Sequence, residues 1–249
     1  MYHSILGVLT LLVALWAAPV CASELDYSDY ARLLETYVSD GGVRYEAWAE
    51  SAADVSALDA FLETASHADL AAMEPEAQKA FYINLYNASM LSAVLEYYPV
   101  DSVKNIGLLP FSVFKKEFIK LGERSLSLDE VEKGVLLKEY FDPRIHFAVN
   151  CASESCPPLR AEPFCGVHLE AQLDAQTRLF AESARAARVD HQRKRIAYSE
   201  LFKWYADDFG VENPADFLNQ YRTVDLPTRY KTDWIDYDWS LNAVAGAGE

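Results

Sequence analysis

Pro75-Glu76-Ala77-Gln78-Lys79-Ala80-Phe81-Tyr82-Ile83-Asn84-Leu85-Tyr86-Asn87-Ala88-Ser89-Met90-Leu91-Ser92-Ala93-Val94-Leu95-Glu96-Tyr97-Tyr98 carries apolar residues at helical spacing through Phe81, Leu85, Met90, Leu91, Val94 and Leu95. Pro75 stands where a helix begins, since its missing N–H is not needed in the first turn, and Pro99 stops the run. The spacing predicts one long helix at the centre of the core. Asn84 and Asn87, three residues apart, share a face of it. Polar groups on an otherwise apolar helix need partners. The simplest are backbone groups of a later loop, residues 144–159, or of the Tyr237-Asp238-Trp239 segment. The functional alternative is a pocket wall in which the two amides orient a ligand.

Working outward, Leu25 to Val38 has helical periodicity and ends at Asp40-Gly41-Gly42, after which Val43-Arg44-Tyr45 reads as a short extended piece. Helical spacing returns over Asp54 to Thr64 and over Val167 to Ala187. Ser127-Leu128-Asp129-Glu130 is a capping box ahead of Val131, Val135 and Leu136. Ile196 to Tyr198 reads as a strand, Leu201 to Phe209 as a short helix, and Asn213-Pro214 as the cap of a last helix. With 15 tyrosines against 10 glycines, these elements give the α+β class, a mostly helical single domain with a few short strands packed by aromatic rings.

Residues 1–22 hold no lysine, arginine, aspartate or glutamate and are apolar from Ile5 to Trp16, the pattern of a signal peptide. Val20-Cys21-Ala22 predicts cleavage after Ala22. The expected organisation is a signal peptide over 1–22, one globular domain over 23–242 and a frayed Ala- and Gly-rich tail over 243–249. Location is then periplasmic or secreted, with no stable membrane insertion once the leader is removed. Thirty-eight acidic against 22 basic side chains give a formal net charge of −16, which excludes a nucleic-acid partner. A small molecule, a peptide or an envelope component is the expected partner.

Potential chemistry is densest in Arg144-Ile145-His146-Phe147-Ala148-Val149-Asn150-Cys151-Ala152-Ser153-Glu154-Ser155-Cys156-Pro157-Pro158-Leu159. Its first half alternates as a strand would and its second half reads as loop. Three readings fit. In the first, Cys156 is a nucleophile with His146 as its base, Asn84, Asn87 or Glu132 orients the base, and a helix starting at Pro157 lowers the thiol pKa. Asn87, Tyr86, Ser155 and Asn150 are then the candidates for holding substrate. In the second, Cys151 and Cys156 close a structural loop, with Cys165 left over; a redox-active pair is a variant of this, although the spacing is not Cys-x-x-Cys. In the third, His146, Cys151 and Cys156 bind zinc, but they lack the paired spacing of specific sites, so no metal and no cofactor is expected. Trp204, Tyr205, Asp207, Asp208 and Trp239 read as an aromatic core face with solvated acids. Adjacent aspartates on a helix point apart and do not make a two-carboxylate glycosidase site.

Four blocks taken together, Phe81 to Asn87, Asp142 to Leu159, Leu201 to Phe209 and Tyr237 to Asn242, resemble the family called domain of unknown function 547 in order and spacing. The resemblance implies an exported, stand-alone domain and carries no established activity or substrate. Tyr82 stands where the family usually has tryptophan, and Val131-Glu132-Lys133 where it usually has Ile-Glu-His. A protonated lysine cannot replace a ligating histidine. Two function classes follow: a cysteine-dependent hydrolase or acyl transferase using Cys156 and His146, or a non-catalytic, envelope-associated binding domain with a structural thiol loop.

Overall fold

The computed structural model describes residues 25–244. The leader, its cleavage point and residues 245–249 lie outside the described residues. The class is α+β, predominantly helical with several short strands. The chain opens with α1 (Ser28–Tyr37), a two-residue hairpin β1 (Val38–Ser39) and β2 (Gly42–Val43), then α2 (Tyr45–Glu50) and α3 (Ala52–Ser66). The long helix α4 (Pro75–Tyr97) follows, and α5 (Ser112–Lys115) leads to the hairpin β3 (Ile119–Leu121) and β4 (Arg124–Leu126). A π-helix, Glu130–Leu136, passes into the single turn α6 (Leu137–Glu139). Then come α7 (Ile145–Ala148), α8 (Leu169–Ala181), β5 (Ala187–Asp190), β6 (Arg195–Ser199), α9 (Leu201–Trp204), α10 (Ala206–Phe209), α11 (Pro214–Leu218) and β7 (Lys231–Ile235). β6 pairs antiparallel with β5 and parallel with β7.

Helix α4 is buried on nearly every side from Ala77 to Val94. A helix that is apolar all round must be enclosed, and α4 packs against α3, the π-helix and α8 at the centre of the main core. A second core gathers Phe180, Tyr198, Phe202, Phe209, Phe217 and Leu218 around the three-stranded sheet. Helix α7 joins the two. Ile145 and Ala148, on one side of its turn, enter the main core, whereas Phe147 stacks on Phe180 in the second, with ring centroids 4.9 Å apart.

Residues 145–148 are therefore a helical turn and not the strand their alternation predicts. Asp142 Oδ1 accepts from Arg144 N at 3.0 Å and starts the turn, and His146 N and Phe147 N donate to the carbonyls of Pro143 and Arg144. All four α7 residues are buried. Burial on both sides by two different cores removes the polar face on which a half-buried strand depends. A cluster of ions fixes the entry: Arg144 reaches Asp142, Glu170 and Asp174 at 2.7 Å each, and Lys79 lies 3.6 Å from Asp142. The capping box forms as expected, with Ser127 N donating to Glu130 Oε2 at 2.8 Å and Glu130 N to Ser127 Oγ at 3.2 Å. It opens a π-helix, a geometry that recurs at functional sites.

The segment from Asp238 to Val244 runs back through the molecule. It bridges Ser102 at Ser240, Ser153 at Leu241 and Val43 at Ala243. Asn242 is 1% exposed. Residues 243 and 244, where the sequence leads one to expect the start of a frayed tail, are thus paired with Val43. From Ser240 to Val244 the backbone hydrogen bonds run to three separate segments, at Asp101, at residues 152–154 and at Val43.

Candidate functional site: an aromatic cleft over the thiol loop

The two asparagines of α4 are clamps. Asn87 donates from Nδ2 to Ala148 O at 2.9 Å and accepts from Asn150 N at 2.8 Å. Asn84 makes the same paired contact with Phe164, at 2.8 and 2.9 Å. Both are buried. Their amides are taken up by backbone, which is the simpler of the two roles the sequence allows.

Asn150, held by Asn87, organises the loop that follows. Its Nδ2 donates to Pro157 O at 2.7 Å, and its Oδ1 accepts from Ala152 N at 2.9 Å and from Asn242 Nδ2 at 3.3 Å. Ala152 has φ 59°, a left-handed conformation that costs a residue with a Cβ about 1–2 kcal/mol and persists because its neighbours over-determine it. Ala152 O receives Asn242 N, and Glu154 N donates to Ser240 O. Ser155 is spent on the same seam, exchanging bonds with Asp238: its N donates to Asp238 O at 3.1 Å and its Oγ accepts from Asp238 N at 2.9 Å. Arg185 braces the loop through Cys156 O and Glu154.

Within this frame the two thiols differ. Cys151 N donates to Cys156 Sγ at 2.8 Å. Cys156 is buried, and burial together with its neighbour Cys151 pushes its thiol well above the ordinary value. Cys151 is only partly buried. Burial would raise its thiol too, but hydrogen bonds from Cys156, Ser153 and Tyr237 outweigh that and bring it down. The Ser153 and Tyr237 hydroxyls lie 2.9 and 3.3 Å from Cys151 Sγ. No helix starts at Pro157, where the sequence places one: residues 157–163 form neither helix nor strand. The Asn150 bond to Pro157 O and the bond from Leu159 N to Gly41 O draw the chain away extended. Burial of Cys156 and the polar groups around Cys151 therefore shift these thiols, and no helix starts at Pro157 to contribute. Cys151 and Cys156 are the free cysteines among the described residues, and Cys165 is disulfide-bonded.

Cys151 and Cys156 line one side of a cleft of about 240 Å³. Tyr237, Trp239 and Trp204 form an aromatic wall beside them, with Tyr237 and Trp239 centroids 4.4 Å apart and Trp204 stacked on Trp239 at 5.8 Å. Phe111 and Lys115 stand at the lip with Asp129 and Lys133 of the capped segment. Deeper in, Glu132 Oε1 accepts from Tyr205 OH at 3.0 Å, next to Tyr86. Burial raises the Glu132 carboxyl, overriding Lys133 and the hydrogen bonds from Tyr205 and Tyr86 that favour its charge.

His146 also lines the cleft. Its Nε2 meets Asp208 Oδ2 at 2.8 Å and its ring lies 4.0 Å from that of Tyr205. Burial lowers its pKa, and Asp208 opposes that only in part. The structure thus gathers His146, Glu132, Tyr86, Cys151 and Cys156 around one space, and places Asn84, Asn87, Asn150 and Ser155 behind it as supports. Among the described residues no group of three or more His, Cys, Asp or Glu side chains is placed to hold a metal ion.

Sequence reasoning puts Trp204, Tyr205 and Trp239 in a core, and here they line the cleft. Trp204 is 43% exposed, an unusual state for so large an apolar side chain. Asp208 is the partner of His146 and not a solvated acid; Asp207 beside it faces solvent. The signal for Asp208 was its position four residues after Trp204, on the face of a helical stretch that also carries Tyr205. Locally, Ser153 is the group that sets Cys151 apart from Cys156, and the second hydroxyl that does so arrives from Tyr237.

No curated protein and no solved structure matches the chain. The cleft-lining stretches Leu201–Phe209 and Tyr237–Asn242 lie outside the one segment that a family model covers. That segment, residues 70–181, takes in α4, the π-helix, α7, the thiol loop and α8, and matches the model of the family described as Protein of unknown function, DUF547.

Proposed function

We propose that this domain binds a small ligand in the aromatic cleft, with the thiol loop as a structural clasp that holds one wall, and that it does so in the cell envelope or outside the cell after losing its leader. The observation that carries this reading is the lining of the cleft. Trp204 and Trp239 line it as a stacked pair, Lys115, Lys133 and Asp129 stand at the rim, and Tyr205 and Glu132 supply hydrogen-bonding groups inside. Concave, mostly apolar sites with a few polar groups suit compact molecules that have one flat face and one polar end. The loop is held by Asn87, Asn150, Asn242 and Arg185 without any bond being made or broken. No helix among the described residues is long and apolar enough to cross a membrane, which agrees with a domain that is not itself inserted.

A second reading is a cysteine-dependent hydrolase or acyl transferase using Cys156 and His146. Its support is that both side chains line the cleft. Its weakness is the raised Cys156 thiol, since the thiolate is the nucleophile. Tryptophan emission titrated with N-acetyltyrosinamide or a short aromatic peptide tests the binding reading. A saturable change that Trp204→Ala removes is expected; no saturable change with any such probe would refute it.

A further inference from the structure

We propose that Cys151 and Cys156 form a thiol–disulfide exchange centre, in which Cys151 attacks a low-molecular-weight disulfide admitted by the cleft and Cys156 resolves the product. This goes beyond ligand binding, which requires no chemistry at the thiols. Exchange needs an attacking sulfur that is accessible and held as thiolate, and a second sulfur near it that stays protonated until needed.

The loop supplies that asymmetry. Cys151 is partly exposed in the cleft wall, and its sulfur faces the Ser153 and Tyr237 hydroxyls at 2.9 and 3.3 Å. Cys156 is buried behind it and hydrogen-bonds to it, with Cys156 Sγ 2.8 Å from Cys151 N. A neutral Cys156 S–H is itself a donor to the Cys151 thiolate, so the two thiols share one proton in the state that reacts. Ser153 Oγ also donates to Tyr237 OH at 3.2 Å, which leaves the Tyr237 proton for the Cys151 sulfur and fixes that arrangement before any ligand arrives. The two residues are held there by the same segment that seals the loop, through Asp238 and Ser240. The cleft, about 240 Å³ and lined by Tyr237 and Trp239 beside the thiols, gives a small disulfide room to approach Cys151.

The step balances as follows. The Cys151 thiolate attacks one sulfur of R–S–S–R′, forming Cys151–S–S–R and releasing R′–S⁻. Cys156 gives its proton to that leaving thiolate and attacks the Cys151 sulfur, forming the Cys151–Cys156 bond and releasing R–S⁻. The incoming disulfide is reduced by two electrons and the protein dithiol is oxidised by two. A dithiol runs the cycle in reverse.

The experiment uses the folded protein without prior treatment by reductant, so that Cys165 stays disulfide-bonded and Cys151 and Cys156 are the free thiols, with 4,4′-dithiodipyridine as the disulfide. Two thiopyridones should be released per molecule, and peptide mass mapping should find a new bond between Cys151 and Cys156. The rate of the first release should follow a titration midpoint below that of a free thiol, about 8.5. Tyr237→Phe should move that midpoint upward while leaving the stoichiometry at two. Cys156→Ala should release one thiopyridone and retain a stable adduct on Cys151. If Cys156→Ala does not fold, the wild-type stoichiometry and map decide alone. A single release with the adduct left in place in the wild type, first reaction at Cys156, or a midpoint at the free-thiol value would each overturn the proposal. Tryptophan titrations that still report ligand binding in that case would leave the binding reading standing.

Discussion

Asn87 is the position at which the long helix controls the site, and its removal makes a quantitative prediction. In Asn87→Ala, the carbonyl of Ala148 and the N–H of Asn150 both lose their partner in a region that stays buried. Each buried backbone group left unsatisfied costs about 1–3 kcal/mol, so the loss of folding stability should fall at about 2–6 kcal/mol. That is a large share of the roughly 5–15 kcal/mol that holds a domain together. Urea unfolding followed by far-UV circular dichroism measures it. Asn84→Ala breaks an equivalent pair of bonds, to Phe164, and should cost a similar amount. The two variants differ in what they do to the thiols. Asn87→Ala frees the start of the loop and should change the alkylation rate of Cys151 in the folded protein, whereas Asn84→Ala should leave it close to wild type. Asn87→Asp can still accept from Asn150 N but sets a carboxyl against Ala148 O. It favours the protonated acid in the fold, so its defect should be smallest below the ordinary carboxylate pKa and grow as pH rises. A loss under about 1 kcal/mol in Asn87→Ala, or equal effects of both alanine variants on Cys151, would refute the clamp.

Two further outcomes follow from the same geometry. The Glu132 carboxyl is raised in the folded chain by burial, so it binds a proton more tightly there than in the unfolded chain. Its contribution to stability is therefore present below its ordinary value of 4.5 and lost as pH rises through the raised value. Glu132→Gln, which keeps an acceptor for Tyr205, should gain stability relative to wild type between acid and neutral pH, and equal or lower stability at pH 7 in thermal melts would contradict this. At Gly41, φ is +75° and an added Cβ would lie 2.3 Å from Pro158 Cβ, while at Gly122 φ is +58° with nothing within 4 Å. Gly41→Ala should thus lower the melting temperature distinctly more than Gly122→Ala, which bears only the left-handed backbone cost of about 1–2 kcal/mol.

Legibility from sequence followed the range of the interactions. Helix α4, the capping box and the Asn213 cap rest on contacts within a few residues, and their residues declare them. Asn213 Oδ1, for example, accepts from Ala215 N only two positions on. The turn at Ile145–Ala148 misreads because its alternation of apolar and small residues is produced by two cores meeting, which no local window contains. The gathering of His146, Glu132 and the thiols was readable only as a list of candidates. Their relative roles depend on Asp208, Tyr205 and Tyr237, which lie 62, 73 and 86 residues from the groups they touch.

The return path of residues 238–244 bears on when the thiol loop can exist at all. Val43, Ser102 and Ser153 each wait for a partner that is synthesised later than every other part they touch. Pairings of such wide separation form slowly, because the intervening chain must be closed before they contribute. Until then Tyr237 cannot reach Cys151, and the loop lacks both its seal and one of its donors. A nascent chain therefore carries two ordinary, unprimed cysteines through its early life. Cys151 takes on its full difference from Cys156 only once the segment carrying Tyr237 has been made and has docked.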